Sequence, residues 1–119
     1  TLTGGLALQT AEAYQEFIGD RAISFGGNSF ELYFEEDDFD GFIAKLGQRN
    51  DIQYIGDGVK EAGWGQRTVR FYDLDGHIIE VGENMKMVVK RFIHSGMSME
   101  ETSRRMDVSV SDLEKLLQS

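Results

Sequence analysis

An α+β domain followed by a helical tail is the fold class that the sequence predicts, and three observations carry it. Residues 64–83, WGQRTVRFYDLDGHIIEVGE, have the signature of a β-hairpin: β-branched and aromatic residues, an Asp-Gly turn, then a short apolar arm. From Phe30 to Gly82 the segments read strand, helix, strand, strand, strand. Beyond Asn84 the charge changes. Residues 1–84 hold 6 basic and 16 acidic side chains, net −10, whereas residues 85–119 hold 6 and 5, net +1.

The elements follow in order. Gly4 to Gln9 reads as a short strand leading into a helix that Thr10 caps, with Ala13, Tyr14, Phe17 and Ile18 at helical spacing and Gly19-Asp20 as its stop. After a Phe25-Gly26-Gly27-Asn28 turn, an alternating strand over 30–35 sets Phe30, Leu32 and Phe34 on one side and Glu31, Tyr33 and Glu35 on the other. Asp37-Asp38 open an amphipathic helix through Phe42, Ile43 and Leu46, with its acidic end where the helix dipole favours it. Ile52 to Ile55 is the next strand, and a glycine-rich connection leads to the hairpin. Thr68, Val69, Phe71 and Tyr72 form its first arm, Asp73-Leu74-Asp75-Gly76 its turn and His77 to Val81 its second arm.

In the tail, Met85, Val88, Val89, Phe92 and Ile93 make a helical stripe that Gly96 stops. Ser98 to Glu101 is a capping box for a second helix through Met106, and Ser109 or Ser111 caps a third that carries Leu113, Leu116 and Leu117.

The hairpin's second arm contains the first chemical signal. Alternation puts Ile79 and Val81 on one face and Ile78, Glu80 and Gly82 on the other, so a carboxylate stands among apolar residues in mid-strand. Left buried and unpaired it would cost several kcal/mol. Glu80 therefore pairs with a cation such as Arg70 across the hairpin, binds a metal, or faces a wet cavity.

The string aromatic–Asp–x–Asp–Gly–His–x–x–Glu–hydrophobic, here Tyr72 to Val81, resembles the last hairpin of the vicinal oxygen chelate superfamily, the group of glyoxalase I, extradiol dioxygenases and bleomycin-resistance proteins. The resemblance implies βαβββ modules that form a cup-shaped mixed sheet. It implies a glyoxalase-like domain over 1–84, with a partial first module in 1–27 and a second in 28–84; the helical extension over 85–119 separately resembles, in the spacing of SGMSMEETSRRMDVSVSDLEKLL, the helix-turn-helix of bacterial regulators. A five-residue echo supports two modules: Gly5 to Gln9 aligns with Gly76 to Glu80, placing Gln9 where Glu80 sits. A closed cup then requires further residues or a second chain, and the expected assembly is a homodimer.

By the same resemblance, Glu80, Glu31 and Gln9 form a ligand set for a divalent metal, Mn, Ni, Zn, Mg or Fe, with Glu80 also the catalytic base. Glutamate at position 31, where many members carry histidine, shifts that set towards oxygen donors and harder ions. Arg70, Tyr33 and Trp64 line the same cup and bind substrate. The implied function is a metal-dependent lyase or isomerase acting on a small oxygen-chelating substrate. The alternative is a metal-free drug-binding protein of the bleomycin-resistance type, holding an aromatic or cationic ligand against Trp64 and Tyr33.

Bulk properties narrow the partners. A net charge of −9 argues against nucleic acid and anionic membranes. The third tail helix, with Asp112 and Glu114 beside Lys115, is a poor match to phosphates. The absence of cysteine excludes disulfides and thiolate metal sites, and with no long apolar run the expected location is the cytoplasm. His77, on the face opposite Glu80, is expected to be structural.

Overall fold

In the computed structural model, which describes residues 6–119, a mixed sheet carries one helix on its core face and is followed by three helices. The elements are α1 (Ala11–Ile18), β1 (Glu31–Glu36), α2 (Phe39–Gly47), β2 (Gln53–Tyr54), β3 (Lys60–Glu61), β4 (Arg67–Tyr72), β5 (Ile78–Glu83), α3 (Met85–His94), α4 (Met99–Met106) and α5 (Val110–Gln118). Strand order is β1-β5-β4-β2, and β3 also pairs with β4. β1 runs parallel to β5, and the other pairs are antiparallel.

The hairpin forms as its residues dictate. Gly76 takes φ +83°, and Asp73 accepts from the backbone N–H groups of Asp75 and His77. Its register sets Val69 opposite Val81 and Phe71 opposite Ile79, so these four share a face. α2 covers that face with Phe39 and Leu46, and Phe42, Ile43 and Ile52 pack around them. Asp38 caps α2 by accepting from Gly41 N. Across the hairpin, Arg70 stands opposite Glu80, and Tyr33 of β1 is Glu80's partner on the other side. The second face of the sheet is thus polar in its centre.

The tail also follows its sequence. Asn84, Ser98 and Ser109 cap the three helices, and Ser98 with Glu101 makes both bonds of the capping box. Val88, Val89, Phe92, Met106 and Leu113 form a second buried cluster, separate from the one under the sheet. Among the described residues, no helix is long and apolar enough to cross a membrane.

Five expectations need correction. Of the strand expected over Gly4–Gln9, Gly4 and Gly5 lie outside the described residues, and residues 6–9 join no ladder. Extended backbone becomes a strand only where a partner takes its hydrogen bonds, and none of the described strands does so here. α1 buries no residue, and Leu8 and Phe17 are exposed, so the described part of the expected first module contributes nothing to either core. Phe30 and Phe34, expected to pack on one side with Leu32, are exposed too, and Phe30 lies against the His77 ring.

The strand at Ile52–Ile55 shortens to two residues, extended by one bond from Ile55 N to Arg70 O of 2.9 Å. The glycine-rich connection hides β3, whose Lys-Glu sequence has low strand propensity and which pairing alone holds extended.

Candidate functional site

Glu80 is buried, and Arg70 is what neutralises it. The guanidinium Nη2 donates to both carboxylate oxygens, at 2.8 and 3.0 Å, while Nε donates to Glu31 Oε2 at 3.0 Å. One cation therefore serves two carboxylates. The consequence shows in the acidities. Burial pushes the Glu80 carboxyl above its usual range, Arg70 opposes that only in part, and neighbouring Glu31 adds to the rise. Arg70 is held protonated, above its usual range, first by its hydrogen bond to Glu31.

Beside this triad lies a cavity of about 260 Å³ lined by Lys60, Trp64, Gln66, Thr68, Arg70 and Glu80, among others. Gln66 organises its wall. Its Oε1 accepts from the Trp64 indole N–H at 3.1 Å, and its Nε2 donates to Tyr33 Oη at 2.9 Å and to Glu83 O at 3.0 Å. Trp64 and Tyr33 remain about half exposed, so their rings offer apolar surface to a visitor. Gly82 makes room for this network, because a Cβ there would lie 2.8 Å from both Gln66 Nε2 and Tyr33 Oη. A larger hollow beside α1, about 830 Å³, is shallow and has no aromatic wall, which makes it a poor site.

Of the six residues the sequence singled out, Glu80, Arg70 and Trp64 line the cavity, and Glu31 and Tyr33 adjoin it through hydrogen bonds to Arg70 and Gln66. Gln9 is exposed ahead of α1 and does not line the cavity. His77 sits apart, 3.2 Å from Asp73 and packed on Phe25 and Phe30. Gln66 was missed, since a glutamine beside a turn carries no signal until the register shows what it spans.

The donor set does not fit a metal. Glu80 and Glu31 both hold the same guanidinium, which an ion would have to displace. Among the described residues, no three His, Asp or Glu side chains gather as ligands.

The carboxylate most deeply enclosed also went unpredicted. Glu83 at the end of β5 is 2% exposed and is held by Arg67 of β4 and Arg91 of α3, with Nη2 distances of 3.1 and 3.0 Å. These partners outweigh its burial, and its carboxyl lies below the usual range. Glu83 is thus a structural pin between sheet and tail, whereas Glu80 has only a shared counter-charge and an open cavity beside it. That contrast leaves Glu80 as the buried carboxylate that borders an open cavity.

Comparison with known proteins gives the same reading of the fold. A search of curated proteins returned no match. Among solved structures, the chain is similar to a protein of unknown function from Agrobacterium tumefaciens str. C58, at 36% identity and a TM-score of 0.50, over 60% of this chain and 56% of that one. The chain thus spans little more than half of that relative's length. TioX from Micromonospora sp. ML1 is a more distant likeness, at 17% identity and a TM-score of 0.41 over 53% of this chain and 50% of that one. The glyoxalase-like domain family model matches residues 1–86, well over half of the sequence. With the βαβββ order and the Tyr72–Val81 hairpin already in place, this chain belongs to the glyoxalase-like domain family, within the vicinal oxygen chelate superfamily.

Proposed function

We propose that the protein is a metal-independent small-molecule binder, of the bleomycin-resistance kind, that holds a flat aromatic ligand against Trp64 and Tyr33. The observation that carries this is the Glu31–Arg70–Glu80 triad. Two carboxylates that a lyase would lend to a metal are spent on one guanidinium, beside a cavity with an aromatic wall. The −9 charge of the whole chain favours a ligand that is also cationic. The metal-dependent lyase, the other reading of the family, has no ligand set of its own to support it among the described residues.

Because Trp64 is the only tryptophan, its fluorescence reports the site directly. Titration with proflavine, a planar aromatic cation, in the presence of EDTA should quench it saturably, and Glu80→Gln should weaken the effect. The reading fails if wild-type quenching is linear and unsaturable, or appears only after a divalent metal is added.

The proposed assembly is a homodimer. β1 ends the strand order, and Phe34 on it and Phe30 just ahead of it are exposed, which supports pairing with a second copy. Sedimentation equilibrium giving a monomer at micromolar concentration would overturn it.

A further inference from the structure

Trp64 sits at the tip of the β3–β4 turn between two glycines, Gly63 and Gly65, a local sequence with little stiffness of its own. Within the hairpin the turn is closed by Gly65 N to Ala62 O at 2.9 Å and Ala62 N to Gln66 O at 2.8 Å. From the sheet side, Gln66 accepts from the Trp64 indole N–H and is itself held by Tyr33 and Glu83 O, and two of the turn's other backbone carbonyls are held by the helical tail. Arg91 Nη2 of α3 donates to Gly65 O at 2.6 Å, and Arg105 Nη1 of α4 donates to Gly63 O at 2.6 Å. The carbonyls on both sides of Trp64 are thus taken by tail guanidiniums. Both arginines also reach Glu61 of β3, at 3.6 and 3.3 Å.

The Phe92 ring lies so close to Gly65 that a Cβ there would fall 2.5 Å from Cζ. Arg91 and Arg105 flank that ring, at 4.8 and 5.5 Å from its centroid. No member of the tail's apolar cluster comes from the sheet, so the tail is not simply a lid on the domain's core. Besides the Arg91–Glu83 pair, it grips the turn that carries the site's aromatic wall.

We propose that α3 and α4 position Trp64 for ligand, with Arg91 and Arg105 as positioning residues acting through the carbonyls of Gly65 and Gly63. The affinity consequence rests on the binding role proposed above. The placement of Trp64 does not, and the experiment separates the two. In the full chain, acrylamide quenching of Trp64 is compared among wild type, Arg105→Ala, Arg105→Lys and Arg104→Ala, the last an exposed residue of the same helix.

Arg105→Ala should raise the quenching constant, Arg105→Lys should restore part of the protection, and Arg104→Ala should match wild type. Proflavine affinity should fall by up to about tenfold in Arg105→Ala, the equivalent of one hydrogen bond to a charged group. If Arg105→Ala loses helix by far-UV circular dichroism, Glu61→Gln, which loosens the same contacts from the sheet side, decides instead. Unchanged quenching in the deciding variant overturns the proposal. So does proflavine binding that is equal in that variant and wild type. Failure of proflavine to bind wild type condemns the binding reading alone, and acrylamide quenching then decides the placement by itself.

Discussion

Replacing Glu83 by glutamine tests how the domain and its tail are joined. The side chain is 3% exposed and accepts five hydrogen bonds: Nε and Nη2 of Arg67, Nε and Nη2 of Arg91, and Arg67 N. Glutamine keeps one acceptor, turns an NH₂ towards a guanidinium and leaves two cations without their main counter-charge. Removing one partner of a buried ion pair costs about 3–5 kcal/mol. Arg67 and Arg91 keep Asp40, Glu61 and Gly65 O and are 24% and 30% exposed, so the lower end applies, about 3 kcal/mol.

For 119 residues the unfolding entropy is about 0.25 kcal/mol/K, and the melting temperature should fall by about 12 °C. Thermal and urea unfolding followed by circular dichroism would measure it. A loss below about 1 kcal/mol, the worth of an exposed pair, would refute the reasoning. The acid limb gives a second check. Because the Glu83 carboxyl is held below its unfolded value, its contribution is present above about pH 4.5 and is lost as pH falls through the lower folded pKa. The gap between wild type and variant should therefore narrow in acid.

Two further substitutions probe the site and its support. Gly65→Ala places a Cβ 2.5 Å from Phe92 at φ +89° and should cost about 2 kcal/mol or more in urea unfolding. An effect within about 0.5 kcal/mol would mean that the turn and ring are not in contact. Glu80 has the opposite pH sign to Glu83. Its folded pKa is raised, so its contribution is present below the unfolded value and lost as pH rises through the folded one. The stability difference should shift in favour of Glu80→Gln as pH rises from about 4.5 through the raised folded pKa, and a difference flat with pH would contradict the shift.

The sequence made most of the second module legible, because local signals and tertiary demands agree there. Tyr72 to Val81 combines Asp-Gly turn chemistry with period-2 alternation, and the tail's serine caps precede its apolar stripes. The same alternation placed Glu80, Arg70, Glu31 and Tyr33 on one face, and the pairing of Arg70 with Glu80 was open to inspection as a cross-hairpin contact.

What stayed hidden depends on partners far along the chain. Nothing near Lys60-Glu61 announces a strand, because β4 imposes it. Glu83 looked like a strand end, and only the approach of Arg91 from α3 and Arg67 from β4 explains its burial. Gln66 spans Trp64, Tyr33 and β5, a role no local pattern encodes. Residues 6–9 fall short of the expected strand for a related reason: likeness to residues 77–80 brings no pairing partner among the described strands.

Isothermal titration of the 119-residue chain with Mn²⁺, Ni²⁺ and Zn²⁺ addresses the central claim, that Glu80 and Glu31 are committed to Arg70 instead of a metal. No saturable heat should be seen at neutral pH with any of the three ions. One-to-one binding that disappears in Glu80→Gln would contradict the account and restore the metal-dependent lyase.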